Sequence, residues 1–271
     1  MKRLQAIIRK PARTLDQCEL TFLQRRPIDI DRARRQHADY AEALRDLGID
    51  VITLPTRDEW PDSVFVEDAA IVLDEIAVIT RPGVASRQQE GAGLLDALQP
   101  FRPIHVMREP STLDGGDVVR LDRSLYVGLS SRSNTEGIEE LRSVVNPFGY
   151  TVTPVALDGC LHLKSACVAL GPDVLLADPT RVNTAPFHVD RILTVPSDER
   201  DVADALAIGD TVLIAAGYPA TRGLLQDAGY NVRELDLSEF AKAEAGPTCL
   251  SLIFETDSAT SAPRPRHRSR T

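Results

Sequence analysis

One local pattern occurs three times along the chain: apolar residues at helical spacing, then a glycine, then a β-branched strand. It is read in YAEALRDLGIDVITL (40–54), IEELRSVVNPFGYTVTPV (138–155) and TRGLLQDAGYNVREL (221–235). Glycine just past the last periodic residue stops a helix, because it takes the left-handed conformation without a Cβ clash. Between these lie paired strand runs in VFVEDAAIVLDEIAVITR (64–81), GDVVRLDRSLYVGL (116–129) and HLKSACVALGPDVLLAD (162–178). Short polar or Gly-Pro turns join each pair, as in hairpins. DTVLIAAGY (210–218) is a further strand candidate, and TCLSLIFE (248–255) is a final one. The unit is hairpin, helix, strand, repeated about five times with variation. Such repetition admits a closed pseudo-symmetric ring or propeller, or an ordinary α/β sandwich. Pattern alone does not choose between them.

A chain of 271 residues fits one α/β unit, and 43% hydrophobic with 26% charged residues suits a soluble globular protein. Its four cysteines are scattered without a CxxC pair, which suits free thiols in a reducing compartment better than a disulfide framework. MKRLQAIIRK offers only a five-residue stretch between basic residues, too short for a signal-peptide core. No run approaches the ~18 apolar residues of a membrane span. A cytoplasmic protein with no membrane partner is expected. Net charge is −9, and setting aside the four arginines of the acid-free segment SATSAPRPRHRSRT leaves −13. So acidic a body argues against nucleic acid, which needs phosphate-neutralising cations. Residues 1–256 are therefore read as a single domain and 257–271 as a disordered basic tail.

The informative residues interrupt strands. In PDSVFVEDAAIV, Asp62, Glu67 and Asp68 flank or break an apolar run, and burying an ionised carboxylate there is costly unless a cation or donors meet it. They suit a cationic ligand, or else a turn cap and two solvated acids. In LDGGDVV, Asp114 and Asp117 flank Gly115 and Gly116, which permit close backbone approach or a simple Asx turn. Arg87 in RPGVASRQ and Arg132 in GLSSRSN follow strands in polar loops, and a pair of arginines can clamp a carboxylate.

DGCLHLKSACVAL (158–170) places His162 between two thiols. Read as one alternating strand, it puts Cys160, His162 and Lys164 on one face and Cys167 on the other. Cys167 is then a packing residue, and Cys160 lies too extended along the strand to serve His162. A zinc pair of Cys160 and His162 would need further ligands, and no second cluster has metal spacing. Cys249 in AEAGPTCLSLIF follows Gly246 and Pro247 and opens the last strand, where a thiol could act with a histidine distant in sequence.

Taken in order, PDSVFVEDAAIV, ITRPGVASRQ, TLDGGDVV, VGLSSRSN, GCLHLKSACVALGP and PTCLSLI resemble the dimethylarginine dimethylaminohydrolase family of the guanidino-group-modifying superfamily. The likeness runs from about residue 7 to residue 254. It implies a five-bladed α/β propeller of ββαβ-type units. It also implies Cys249 as nucleophile, His162 as general acid/base and Asp114 as its acidic partner. Glu67 and Asp68 would hold the substrate guanidinium, and Arg87 and Arg132 its α-carboxylate. Leu20, through its carbonyl, and Asp62 would receive the α-ammonium. The implied reaction converts mono- and dimethylarginine to citrulline through a covalent thiouronium, with no metal or organic cofactor; the partner is a small molecule, and a homodimer is compatible. The sequence departs from the family at Leu250, where a second cysteine sometimes follows the nucleophile. Two alternatives stand beside this reading. One is an arginine deiminase-like hydrolase, although such enzymes usually carry an extra helical domain. The other is a non-catalytic binder of arginine analogues.

Overall fold

The computed structural model describes residues 2–200 and 203–257. The glycine stops hold: Gly48, Gly149 and Gly229 all take positive φ, at +79°, +82° and +97°. They follow helices Ile30–Asp46, Thr135–Val145 and Pro219–Asp227 and precede strands Asp50–Leu54, Thr151–Ala156 and Asn231–Leu235. Asp29 caps the first of these helices by accepting from the Arg32 N–H, and Asn134 caps the second by accepting from Gly137. Pro219 opens the third.

Among the described residues the strands form five three-stranded sheets. Four are consecutive in sequence, and in each the second and third strands pair parallel. The second blade is Ala70–Val72, Ala77–Ile79 and Ile104–Val106, with helix Ala92–Leu98 before its last strand. The third is Val118–Leu121, Ser124–Leu129 and Thr151–Ala156. The fourth is Cys167–Ala169, Val174–Ala177 and Arg191–Thr194, with no α-helix in its crossover. The fifth is Leu206–Ile208, Thr211–Ala215 and Asn231–Leu235. The first blade is built from both ends of the chain. Leu252–Asp257 pairs antiparallel with Lys2–Arg9, which pairs parallel with Asp50–Leu54. The last strand reaches Asp257, one residue past the expected domain limit. The expected disordered tail otherwise lies outside the described residues.

Closure of the ring is visible in the core, which is divided into five apolar clusters. Each joins one blade to the next: Ile7 and Phe254 with Ile79 (first to second); Val78 with Leu125 (second to third); Tyr126 with Leu175 (third to fourth). Leu176 with Val212 joins fourth to fifth, and Leu213 with Ile8 joins fifth to first. A sandwich would place its core between two layers; here it is distributed around an axis. One strand of every blade, the innermost, lines an axial cavity of about 260 Å³, through residues such as Ile71, Val119, Val168, Ala207 and Ile253.

Two local expectations differ. Residues 163–165 form a single 3-10 turn with His162 as its N-cap, and the strand begins only at Cys167. Thr248–Leu250 is likewise a 3-10 turn, so Cys249 precedes the last strand by one turn. Among the described residues, no helix is long and apolar enough to cross a membrane.

Candidate active site

Each innermost strand is entered through a short loop, and those loops meet at one end of the axis. Asp68 lies two residues before strand Ala70–Val72, and Asp114 to Asp117 lead into Val118–Leu121. His162 and Lys164 precede Cys167–Ala169, Asp204 precedes Leu206–Ile208, and Cys249 precedes Leu252–Asp257. Five chain-distant segments thus deliver their polar side chains to one buried cluster.

His162 sits between two carboxylates. One ring nitrogen, Nε2, is 3.0 Å from Asp114 Oδ2, and Nδ1 is 3.7 Å from Asp68 Oδ1. Burial lowers the imidazolium pKa, but Asp68, Asp114 and Asp117 outweigh it and lift the pKa to about 9. The histidine is therefore protonated at neutral pH. Burial likewise pushes the Asp68 carboxyl up, yet His162 and Arg87 more than offset it and hold Asp68 below its usual range. The space for the ring depends on Gly116: a Cβ there would lie 2.7 Å from both Asp68 Oδ1 and His162 Nδ1. Asp117 anchors the histidine loop by accepting from Leu163 N (2.9 Å) and from the hydroxyls of Ser130 and Ser133. Its carboxyl is raised by burial to about 6.

Cys249 lies among carboxylates. Its Sγ donates to Asp204 Oδ2 at 3.4 Å. Burial first, then Asp204, Glu67 and Asp68, hold its thiol well above the usual cysteine range. The other thiols are raised for a plainer reason. Burial alone dominates at Cys18 and Cys160, both raised to about 11, and at the fully buried Cys167. The expectation that Cys167 packs in the core holds, since it belongs to the cluster between third and fourth blades. The strand parity used for Cys160 does not, because 160–166 is not a strand.

Glu67 is more committed than its expected role suggests. Oε1 pairs with Lys164 at 2.6 Å, and Oε2 accepts from Thr248 Oγ1 at 2.7 Å. Burial raises its carboxyl to about 6 despite Lys164. Arg87 is also engaged, with Nη1 2.8 Å from Asp68 and with Nε and Nη2 on Glu90. Arg132 donates through Nη2 to Thr21 Oγ1, while its buried Nη1 has no hydrogen-bond partner and lies 4.0 Å from Asp114. Asp62 accepts from Glu19 N through both oxygens, which fixes the chain just before Leu20. The loop beyond Leu20 folds onto Glu244, whose carboxylate accepts from Thr21, Phe22 and Leu23 N–H groups at 3.0, 2.6 and 2.5 Å.

Sequence reasoning missed Glu244, Asp204, Lys164 as partner of Glu67, and Glu90 as partner of Arg87. Among the described residues, Asp68, Asp114 and His162 are the group close enough to share one ion. Cys160 is not in that group, so the structure does not bring Cys160 and His162 together as one cluster.

A propeller of five such blades thus brings a thiol, an imidazole and converging carboxylates to one end of its axis. The model of N,N dimethylarginine dimethylhydrolase, eukaryotic, matches residues 11–216. The chain is 38% identical to the N(G),N(G)-dimethylarginine dimethylaminohydrolase of Streptomyces coelicolor, over 93% of this chain and 97% of that one. It is 35% identical to the enzyme of that name from Pseudomonas aeruginosa, over 92% and 98%. A structure of the Pseudomonas aeruginosa protein complexed with citrulline superposes with a TM-score of 0.87 at 33% identity, covering 94% of this chain and 100% of that one. The chain belongs to the dimethylarginine dimethylaminohydrolase family.

Proposed function

We propose that this protein hydrolyses Nω-methylated arginines to citrulline and methylamine or dimethylamine, with Cys249 as nucleophile, His162 as general acid/base and Asp114 holding the imidazolium. The observation that carries the assignment of roles is the charge pattern. A thiol kept neutral by burial and by carboxylates, and a protonated histidine, both have Asp68 as a charged neighbour. Asp68 and Glu67 already pair with Arg87 and Lys164, and a guanidinium adds positive charge beside the sulfur. Its N–H groups fit the oxygens of Asp68, and its charge lowers the Cys249 pKa so that thiolate forms beside the carbon it attacks. Glu67, tied to Lys164 and Thr248, acts here mainly as fixed negative charge at the floor of the site.

Attack of Sγ on the guanidinium carbon forms the C–S bond and a tetrahedral adduct. His162 then donates its proton to the methylated nitrogen, and the C–N bond breaks to release the amine. Neutral His162 deprotonates a water, which attacks the thiouronium carbon. The C–S bond breaks, citrulline leaves, and His162 is again protonated. Arg132, with Nη1 open, takes the substrate α-carboxylate, assisted by the remaining N–H groups of Arg87. Asp62 and the Leu20 carbonyl take the α-ammonium.

A citrulline-release assay across arginine, its mono- and dimethylated forms and agmatine tests the reading. The methylated forms are expected to be turned over fastest. Faster release from arginine would transfer the protein to the deiminase-like alternative. Binding of dimethylarginine without release of citrulline would leave only the non-catalytic one.

A further inference from the structure

Arg87 commits most of its N–H donors inside the protein. Nε lies 3.3 Å from Glu90 Oε1 and 3.2 Å from Oε2, Nη2 lies 2.9 Å from Oε2, and Nη1 lies 2.8 Å from Asp68 Oδ2. All three side chains are buried. Among the described residues, both carboxylate oxygens of Glu90 accept from Arg87 alone. Glu90 reaches this depth because of its neighbour Gly91. A Cβ there would lie 2.5 Å from Ile79 Cγ2, so the segment after the turn Ala85–Arg87 rests directly on the middle strand of the second blade. Just past that strand, the Thr80 hydroxyl donates to the Asp68 carbonyl at 2.6 Å. Asp68 is thus held at its backbone by Thr80 and at its carboxylate by Arg87.

A cation on the carboxylate that receives a guanidinium would by itself repel the substrate. Glu90 removes that conflict: Asp68, Arg87 and Glu90 together sum to one negative charge, and without Glu90 they sum to none. Its two-oxygen grip also fixes the plane of the Arg87 guanidinium, which a single contact with Asp68 would leave free to turn. We propose that Glu90 is a positioning residue for guanidinium recognition: it aims Arg87 Nη1 at Asp68 Oδ2, cancels the charge of Arg87, and so commits that arginine to the guanidinium end of the substrate. The α-carboxylate then falls chiefly to Arg132, whose buried Nη1 has no hydrogen-bond partner. Burial opposes the charge on Arg87, but Glu90 and Asp68 outweigh it and hold its pKa well above the usual arginine value.

The inference rests on Asp68 receiving the substrate guanidinium, and equilibrium binding tests it without turnover. Dimethylarginine and citrulline share the amino-acid end, but only the first carries a cation at the other. Both are titrated calorimetrically into C249S and C249S/E90Q at pH 8, above the Glu90 carboxyl, which burial lifts to about 7. E90Q should weaken dimethylarginine more than citrulline, so that the ratio of their Kd values rises at least about threefold through unbalanced repulsion from Arg87. Adding R87Q to E90Q removes the repelling charge with its partner, so the ratio should return to within about threefold of C249S and citrulline affinity should persist. A purely structural role would weaken both ligands alike and give no such recovery. A smaller rise in E90Q overturns the proposal. So does loss of citrulline affinity in the doubly substituted protein, which would make Arg87 a carboxylate clamp first. If E90Q loses its cooperative unfolding transition, the doubly substituted protein decides alone. Failure of C249S itself to bind either ligand would instead remove the hydrolase reading, and this proposal with it.

Discussion

Replacing His162 by glutamine should remove a stabilisation that depends on pH in a defined window. The imidazole is buried, and its pKa of about 9 lies above the ordinary 6.5 because Asp68, Asp114 and Asp117 overcome burial. A folded-state pKa above the unfolded value means that the native protein binds the proton more tightly. The contribution is fully present below about pH 6.5 and is lost as pH rises through about 9. At ~1.4 kcal/mol per pKa unit the interval corresponds to about 3 kcal/mol. Between these limits the parent protein should lose about 1.4 kcal/mol per pH unit more than H162Q. Glu67 and Glu90, lifted mainly by burial to about 6 and about 7 from 4.5, cost stability that builds between pH 4.5 and about 7, stays constant above, and is shared by both proteins. Urea unfolding of both proteins at half-unit steps from pH 6 to pH 9.5 measures the difference. Parallel curves across that range would show that His162 gains no proton affinity on folding, and the electrostatic account of the site would fall.

Other consequences concern the groups that place the reacting atoms. G116A should drive a methyl into Asp68 and His162 and lower kcat by about 100-fold, the scale of losing one acid/base catalyst, with a cooperative unfolding transition retained; near-parent kcat would refute the packing argument. D114N keeps an acceptor for the Gly83 N–H but removes the charge on His162, so kcat should fall about 10²–10³-fold with a much smaller change in KM. A change confined to KM would remove Asp114 from its partner role. E244A frees three backbone N–H groups of the loop after Leu20 and should raise KM about tenfold while kcat moves little; unchanged KM would mean that the loop is held by other contacts.

The repeating unit was legible because glycine stops mark three of its helices, but pattern alone left ring and sandwich open, and the family resemblance chose the ring. Helix Ala92–Leu98 was not legible, since it ends at Gln99–Pro100 without a C-terminal glycine. The fourth blade keeps the strand order but omits the helix, which no periodic signal announces. At the site, Asp68, Asp114, His162 and Cys249 stood out as polar residues at the entrances of apolar strands. Asp204 did not, because one of three acids in DVADALAIGD reads like any solvated one. Its two-residue offset before the innermost strand, shared with Asp68, is the signal that could have found it. Glu244 gave no local sign either; its partners are more than 220 residues away. The strand parity applied to 160–166 failed because a 3-10 turn does not alternate, although Cys167 beyond the turn obeys it.

The central claim is covalent catalysis at Cys249. Acid-quenching the enzyme during turnover of NG,NG-dimethylarginine and mapping its peptides by mass tests it most directly. The account predicts an adduct on Cys249 alone, equal to the substrate less dimethylamine, that decays as citrulline accumulates and is absent from C249S. Citrulline formation by C249S, or an adduct on Cys18, Cys160 or Cys167 in place of Cys249, would contradict it.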